Sequence, residues 1–205
     1  MRNLYRFLAL SIWVVACLVL FHIFYQNAKE TAIVELNARQ MIHARQAAKG
    51  IEEFFSHWVT LLESTALRES IVSLNDEGKS QMAFILWNHE QGVKAIARVD
   101  ERGRIIHRVP YDPKLIGTDI SRRDHVRKVM QTHRPVLSGV FTLAQGTRGV
   151  VLHVPVFDAG QYRGSLGVEF DFEVVSKTFL ESIAIGETGY AWMIDRDGIE
   201  LYCPV

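Results

Sequence analysis

Two cysteines, Cys17 and Cys203, stand among 205 residues. They lie far apart, and Cys17 sits inside an apolar run. No bridge between them is expected, and cysteine usage assigns no redox compartment. Net charge is missing as well: 23 Lys and Arg balance 23 Asp and Glu. With the charges balanced, no nucleic-acid partner and no strongly acidic partner is implied. The patterns G-x-S-x-G and H-E-x-x-H, a P-loop and Cys–His metal spacings do not occur. No catalysis, no metal and no cofactor is therefore expected. Repeats and low-complexity tracts are absent too. The length suits one domain, or one and a piece. Proline is scarce, five in all, and the stretch from Asn27 to Ser73 has none; its one glycine is Gly50.

What is present begins with an apolar run. Phe7 to Tyr25, "FLALSIWVVACLVLFHIFY", carries no Asp, Glu, Lys or Arg. About 19 residues at 1.5 Å each suffice to cross a hydrocarbon core of roughly 30 Å. Arg2 and Arg6 precede the run, so the positive-inside rule puts the N-terminus in the cytoplasm and everything after about residue 26 outside. A cleaved signal peptide calls for a shorter core and a small-x-small site. "VVAC" at Val14–Cys17 looks like a lipoprotein site, but the apolar stretch continues beyond it. An uncleaved anchor over 1–26 in the plasma membrane is the reading that fits.

Apolar residues then recur at Ile33, Leu36, Met41, Ala44, Ala47, Ala48, Ile51, Phe54, Phe55, Trp58, Leu61 and Leu62. Steps of three and four predict one long helix over 27–75, whose outward face suits a parallel homodimer. "LNDEGKS" is expected to break it. A shorter helix should follow from about Ser80 to His89, with Met82, Ile85, Leu86 and Trp87 inward. "VKAIARV" and "RIIHRVP" flank "DERG" as a hairpin. "PVLSGVFTL", "VVLHVPVF" and "YRGSLGVEFDF" are three more strands, separated by the turns "AQGTRG" and "DAGQ". "EVVSKTFLESIAI" is an amphipathic helix, and "GETGYAWMIDRDGIELYCPV" a last hairpin turning at Asp195–Gly198. Between the first two strands and the last three lies "DISRRDHVRKVMQT", read as a helix with Ser121 as N-cap and Asp124 completing a variant capping box. Arg122, Arg123 and His125 crowd its first turn, where free N–H groups and guanidiniums suit an anion.

"DISRRDHVRKVMQTHRPVLSGVF", "HVPVFDAGQYRGSLGVEFDFEVVS" and "GETGYAWMIDRDG", in this order, resemble the extracytoplasmic Cache (PAS-like) sensor domains of bacterial membrane receptors. The resemblance covers roughly Gly92 to Pro204. It implies an α+β fold: a transmembrane helix, a long helix, a PAS-like five-stranded antiparallel sheet with inserted helices, and the start of a second module at the C-terminus. The implied divisions are an anchor at 1–26, the long helix at 27–75, the ligand-binding domain at 76–178 and an incomplete membrane-proximal module at 179–205. The implied function is a small-solute sensor for a carboxylate or an amino acid, the front part of a sensor histidine kinase. Chemoreceptor and diguanylate cyclase inputs are the alternatives. So, from another class, is a periplasmic interaction or dimerisation module that binds no ligand.

The resemblance also places the candidate ligand residues. Arg123 holds the family's ligand-binding arginine position; it otherwise pairs with Asp124 or Asp119 at the surface. Arg122 shares the site or lies on a solvated helix face. His125 stands where the family has an aromatic residue, and donates to a ligand or packs. His153 lines the pocket or fills the core. Phe141 and Tyr162 are pocket walls or plain core. Glu169, where the family commonly has Asp, occupies the position that meets a ligand amine in amino-acid-binding relatives. Asp171 is two residues on, at the same strand parity. Arg148, in a hairpin turn, is expected to be solvated.

Overall fold

The proline-free stretch folds as helix α1 (Arg2–Ala66). The structure, a computed structural model, describes residues 2–88, 92–143, 146–181, 183–185, 189–194, 198 and 200–204. Two compact units divide the chain between Gln46 and Ala47. In the first unit α1 exposes its apolar side chains, Trp13, Phe21, Phe24 and Tyr25 among them. An 18-residue window of this helix has a mean hydropathy of 1.6 and buries none of its surface. By length and composition it can cross a membrane.

The second unit starts with the last turns of α1. Ala47, Trp58, Leu62 and Ala66 are buried along one stripe, as the spacing predicts. The helix ends at Ala66 and not near Ser73. A turn at Leu67 and Arg68 leads into a separate short helix, α2 (Glu69–Ser73). Helix α3 (Asp76–Asn88) then begins earlier than its apolar spacing suggests. Only Leu74, at φ 52°, and Asn75 leave helical geometry. Asn75 Oδ1 accepts the Gly78 N–H at 3.0 Å and so caps the new helix. A Cβ on Gly78 would lie 2.0 Å from the Ser70 carbonyl oxygen, so glycine lets α3 press directly onto α2. Met82, Ile85 and Leu86 are buried as expected, but Trp87 is 63% exposed. One step of 100° beyond Leu86 carries it off the inward stripe. His89, the expected end, lies outside the described residues.

The remaining elements are β1 (Val93–Val99), β2 (Ile105–Val109), α4 (Asp124–Thr132), β3 (Val136–Leu137), β4 (Phe141–Thr142), β5 (Arg148–Asp158), β6 (Gln161–Asp171), α5 (Phe172–Leu180), β7 (Ala184–Ile185), β8 (Gly189–Tyr190), β9 (Met193–Ile194) and β10 (Glu200–Tyr202). The main sheet is antiparallel, in the order β2-β1-β6-β5-β3, with β4 also on β5. The fold is α+β. The expected third strand is broken in two by Ser138, whose Oγ accepts the Val151 N–H at 2.8 Å in place of a ladder carbonyl. The β5–β6 hairpin turns on Ala159 and Gly160, both at positive φ, the geometry that matches strand twist. The small ladders β7–β8 and β9–β10 follow. The turn expected between β9 and β10 falls on Asp195–Asp197, outside the described residues.

One face of the sheet carries the main core. Ile96, Leu152, Val168 and Phe170 meet Trp58, Leu62, Ile71 and Met82, and Phe54, Phe55 and Trp58 pack edge-on around the Phe170 ring at 5.1–5.6 Å. Arg98 is buried in the same layer. Its guanidinium donates to the carbonyls of Arg163 at 2.8 Å and Ile71 at 3.3 Å, and also to that of Val99. Burial lowers its pKa to about 10, so it remains charged at neutral pH, solvated by backbone dipoles.

Candidate functional site

The other face of the sheet is where the polar residues collect. Strand pairing puts Ala97, Arg108, Gly167 and His153 side by side across β1, β2, β6 and β5, with Glu169 opposite Ala95 and Val151. The loop after β2 and the start of α4 cover this face. Leu115, Ile116 and Ile120 pack there on Ala97, Val99 and Ile105.

Ser121 does not cap α4. The helix starts at Asp124, with extended Arg123 as its N-cap residue and no side-chain cap bond. Ser121 is engaged in a turn: Asp119 Oδ1 accepts its N–H at 2.9 Å, and its Cβ rests where a side chain on Gly103 would be, 2.7 Å away. Arg123 is thereby left at the helix mouth. Asp124 pairs with Arg127, and Arg123 instead lies over the Phe141 ring, its Cζ 5.5 Å from the centroid.

From there a column of rings runs to the sheet. Phe141 stacks on His125 at 5.5 Å, and His125 on His153 at 5.3 Å, with planes within 24°. His153 is fixed by a 3.0 Å hydrogen bond between its Nδ1 and Ser165 Oγ. Burial first, and then the Arg123 charge, lowers the His125 pKa to about 4. Burial, His125 and Arg123 lower that of His153 to about 3. Both rings are neutral at pH 7.

Two spaces adjoin this column. A cavity of about 60 Å³ is walled by Ala97, Val99, Ile105 and Val151 and bears Arg123, His125, His153 and Glu169. That is well above the roughly 10–15 Å³ needed to hold a single water. A wider groove of about 480 Å³ lies outside it, lined by Arg123, His125, Lys128, Ser138 and Phe141 among others. Arg123 and His125 border both.

Of the sequence candidates, Arg123, His125, His153 and Glu169 thus share one cavity, and Phe141 walls the adjoining groove. Arg122 is exposed and lines neither space. Hydrogen bonds from Ser121, and then the charges of Arg104 and Arg122, hold the Asp119 carboxyl below its usual range. Asp171 stands apart as the N-cap of α5, accepting the N–H groups of Glu173 and Val174 at 3.0 and 3.3 Å. Lys94 reaches it at 3.0 Å. Tyr162 stacks on His133 at 4.5 Å, away from the cavity. Arg148 donates to the Glu200 carbonyl at 3.0 Å.

The sequence reading passed over Arg108 and Ser165. Arg108 is 4% exposed and donates to Glu169 Oε2 at 3.1 Å and to the Pro110 carbonyl at 2.9 Å. A guanidinium in a hairpin strand opposite an alanine was the available signal; its partner, two strands over, was not.

Solved structures share this fold. An extracellular ligand binding receptor from Desulfohalobium retbaense aligns with a TM-score of 0.64 at 24% identity, over 78% of this chain and 30% of its own. The ligand-binding domain of the Pseudomonas aeruginosa amino acid chemoreceptor PctC, in complex with GABA, aligns with a TM-score of 0.62 at 21% identity, over 82% and 75%. The sensor domain of the Vibrio cholerae histidine kinase DctB gives 0.58 at 15% identity, over 70% and 58%. A comparison with curated protein sequences finds no match. Residues 59–171, more than half of the chain, match the family described as HK/GC/Chemotaxis protein-like, sensor domain. They run from the buried end of α1, through the sheet, to the last residue of β6. By that match the chain belongs to the HK/GC/chemotaxis protein-like sensor domain family.

Proposed function

We propose that this chain is the input end of a transmembrane signalling receptor, whose sensor binds a small carboxylate or amino acid in the cavity under α4. One observation carries the reading. Arg123 and Glu169, from two separate elements, converge on a cavity otherwise walled by apolar side chains, Thr118, Gly167 and two neutral histidines. A scaffold with no ligand has no need of Arg123 there, a cation that lies on the Phe141 ring at the edge of the cavity with no carboxylate partner among the described residues, free to meet a ligand anion. The family match is to a sensor domain and not to a catalytic one. Catalysis in the receptor belongs on this reading to an output module, a histidine kinase first, with chemoreceptor and cyclase outputs as alternatives. The apolar window of α1 is the anchor, with Arg2 and Arg6 on the cytoplasmic side and residues after about 26 outside. The divisions 27–75, 76–178 and 179–205 are its long helix, ligand domain and following module. A homodimer through α1 completes the proposal, since Ile33, Leu36 and Met41 are exposed on it.

The test is a thermal-shift screen of the full chain in detergent against amino acids, small carboxylates, amines and purines. A ligand at a hundred times its Kd stabilises the native state by about 2.7 kcal/mol. Arg123→Ala should abolish the shift while leaving the unliganded melt nearly unchanged, because its guanidinium is exposed. A folded protein that responds to none of these compounds would move the reading to a partner-binding module.

A further inference from the structure

We infer that Arg108 sets the specificity of the cavity, by neutralising Glu169 so that the site selects a compact anion and discriminates against ligands carrying an ammonium group. The inference rests on the proposed reading that the cavity is a solute site. The geometry is a reach across one strand. Arg108 is on β2, Glu169 on β6, and β1 lies between them. The β1 residues facing them are Ala97, opposite Arg108, and Ala95, opposite Glu169. Two alanines in succession leave a channel over β1, and the guanidinium uses it to reach Glu169 Oε2 at 3.1 Å. The pair is deep: the Arg108 side chain is 5% exposed and that of Glu169 24%.

Charge arithmetic follows from the contacts. Arg123 and Glu169 face the cavity, and Arg108 holds Glu169 from below. The histidines are neutral at pH 7. Lys128 and Asp124 both line the outer groove, where their charges offset, and Asp124 is also paired with Arg127. Two cations against one anion leave a surplus positive charge, which a monoanion neutralises and a zwitterion does not. Donors are also in surplus. Arg108 brings five N–H groups, and its Nε–H is buried without an acceptor among the described residues. A ligand ammonium placed against Glu169 would sit beside a guanidinium already there, buried and of like charge. An acidic residue free to receive an ammonium is a different site from one already occupied.

Isothermal titration of the full chain in detergent micelles, with two matched pairs, tests this: glycolate and glycine, lactate and alanine. Each pair exchanges a hydroxyl for an ammonium at the same carbon. The hydroxy acid of a binding pair should bind at least tenfold more tightly than its amino counterpart. Arg108→Met should shrink that ratio at least tenfold, by admitting the amino acid. Glu169→Gln keeps the shape but raises the surplus from one positive charge to two, and should tighten the hydroxy acid at least threefold. That variant decides the matter should Arg108→Met fail to fold. An amino acid that binds the unaltered chain as well as its hydroxy counterpart overturns the inference and leaves the sensor reading standing. So does a hydroxy acid that binds Glu169→Gln no more tightly than it binds the unaltered chain. Binding of none of the four overturns the inference, and the wider screen then decides the sensor reading.

Discussion

His153 is the residue whose chemistry is most altered by the fold. Its ordinary pKa is 6.5, and burial, with His125 and Arg123 nearby, brings it to about 3. The unfolded chain therefore binds a proton that the folded chain refuses between those values. The stability this represents is fully present above about pH 6.5 and is lost as pH falls toward 3. Between pH 7 and 4.5 the loss from this one group is about 2 kcal/mol. Urea melts at the two pH values should show it, and His153→Phe, which keeps a ring in the column, should lessen the difference by about that amount. Equal pH dependence in both proteins would mean that His153 accepts its proton without unfolding. None of this was legible from "VVLHVPVF", where a core histidine and a pocket histidine look alike. Pairing with Ser165 across the hairpin decided the matter, and register is a tertiary fact.

At the scale of elements, the joint between β6 and α5 separates structure from site. Asp171 ends the strand, caps the helix and receives Lys94. Asp171→Ala should cost about 1–2 kcal/mol, mostly the cap, because Lys94 is well exposed and its ion pair adds little. That is a fall of several degrees in Tm for a chain of this size. Ligand affinity should stay within about twofold, and a tenfold loss would return Asp171 to the binding site. Strand parity put Asp171 beside Glu169 in the sequence reading. The parity holds through Asp171, which pairs with Gly149, but its carboxylate is taken up by the first N–H groups of α5 and by Lys94. The elements themselves were largely legible: the proline-free helix, the hairpins at "DERG" and "DAGQ", and the helix bearing Arg123 and His125. Their ends were not, because they are set by contacts the sequence does not display. Asn75 caps α3 early, Ser138 splits a strand, and Ser121 is held by Asp119 and Gly103.

For the whole molecule, the amino-terminal window and the sensor are different solvents' solutions to the same problem. The first exposes its apolar residues and the second encloses them. The expected outcome in cells is that the full chain sediments with membranes and resists alkaline extraction, and that deletion of residues 2–25 releases it. Release of the intact chain by alkali would contradict the anchor. The resemblance seen in the motif order, over roughly Gly92 to Pro204, overlaps the family match of residues 59–171 from position 92 to 171, and its third motif lies beyond that match. The charge arrangement inside the cavity was the part hidden from it, because Arg108 and Glu169 are 61 positions apart and meet only once β1 lies between them.

The contact between Gly167 and His153 carries a consequence for descent. A Cβ at position 167 would come within 2.7 Å of the histidine ring, and the ring is held there by its bond to Ser165 and its stack on His125. Lineages of this sensor therefore cannot drift at the two positions independently. In an alignment of relatives, a side chain at the position of Gly167 should be accompanied by loss of the ring at that of His153. Each such pair of changes marks a branch that has given up this cavity for another.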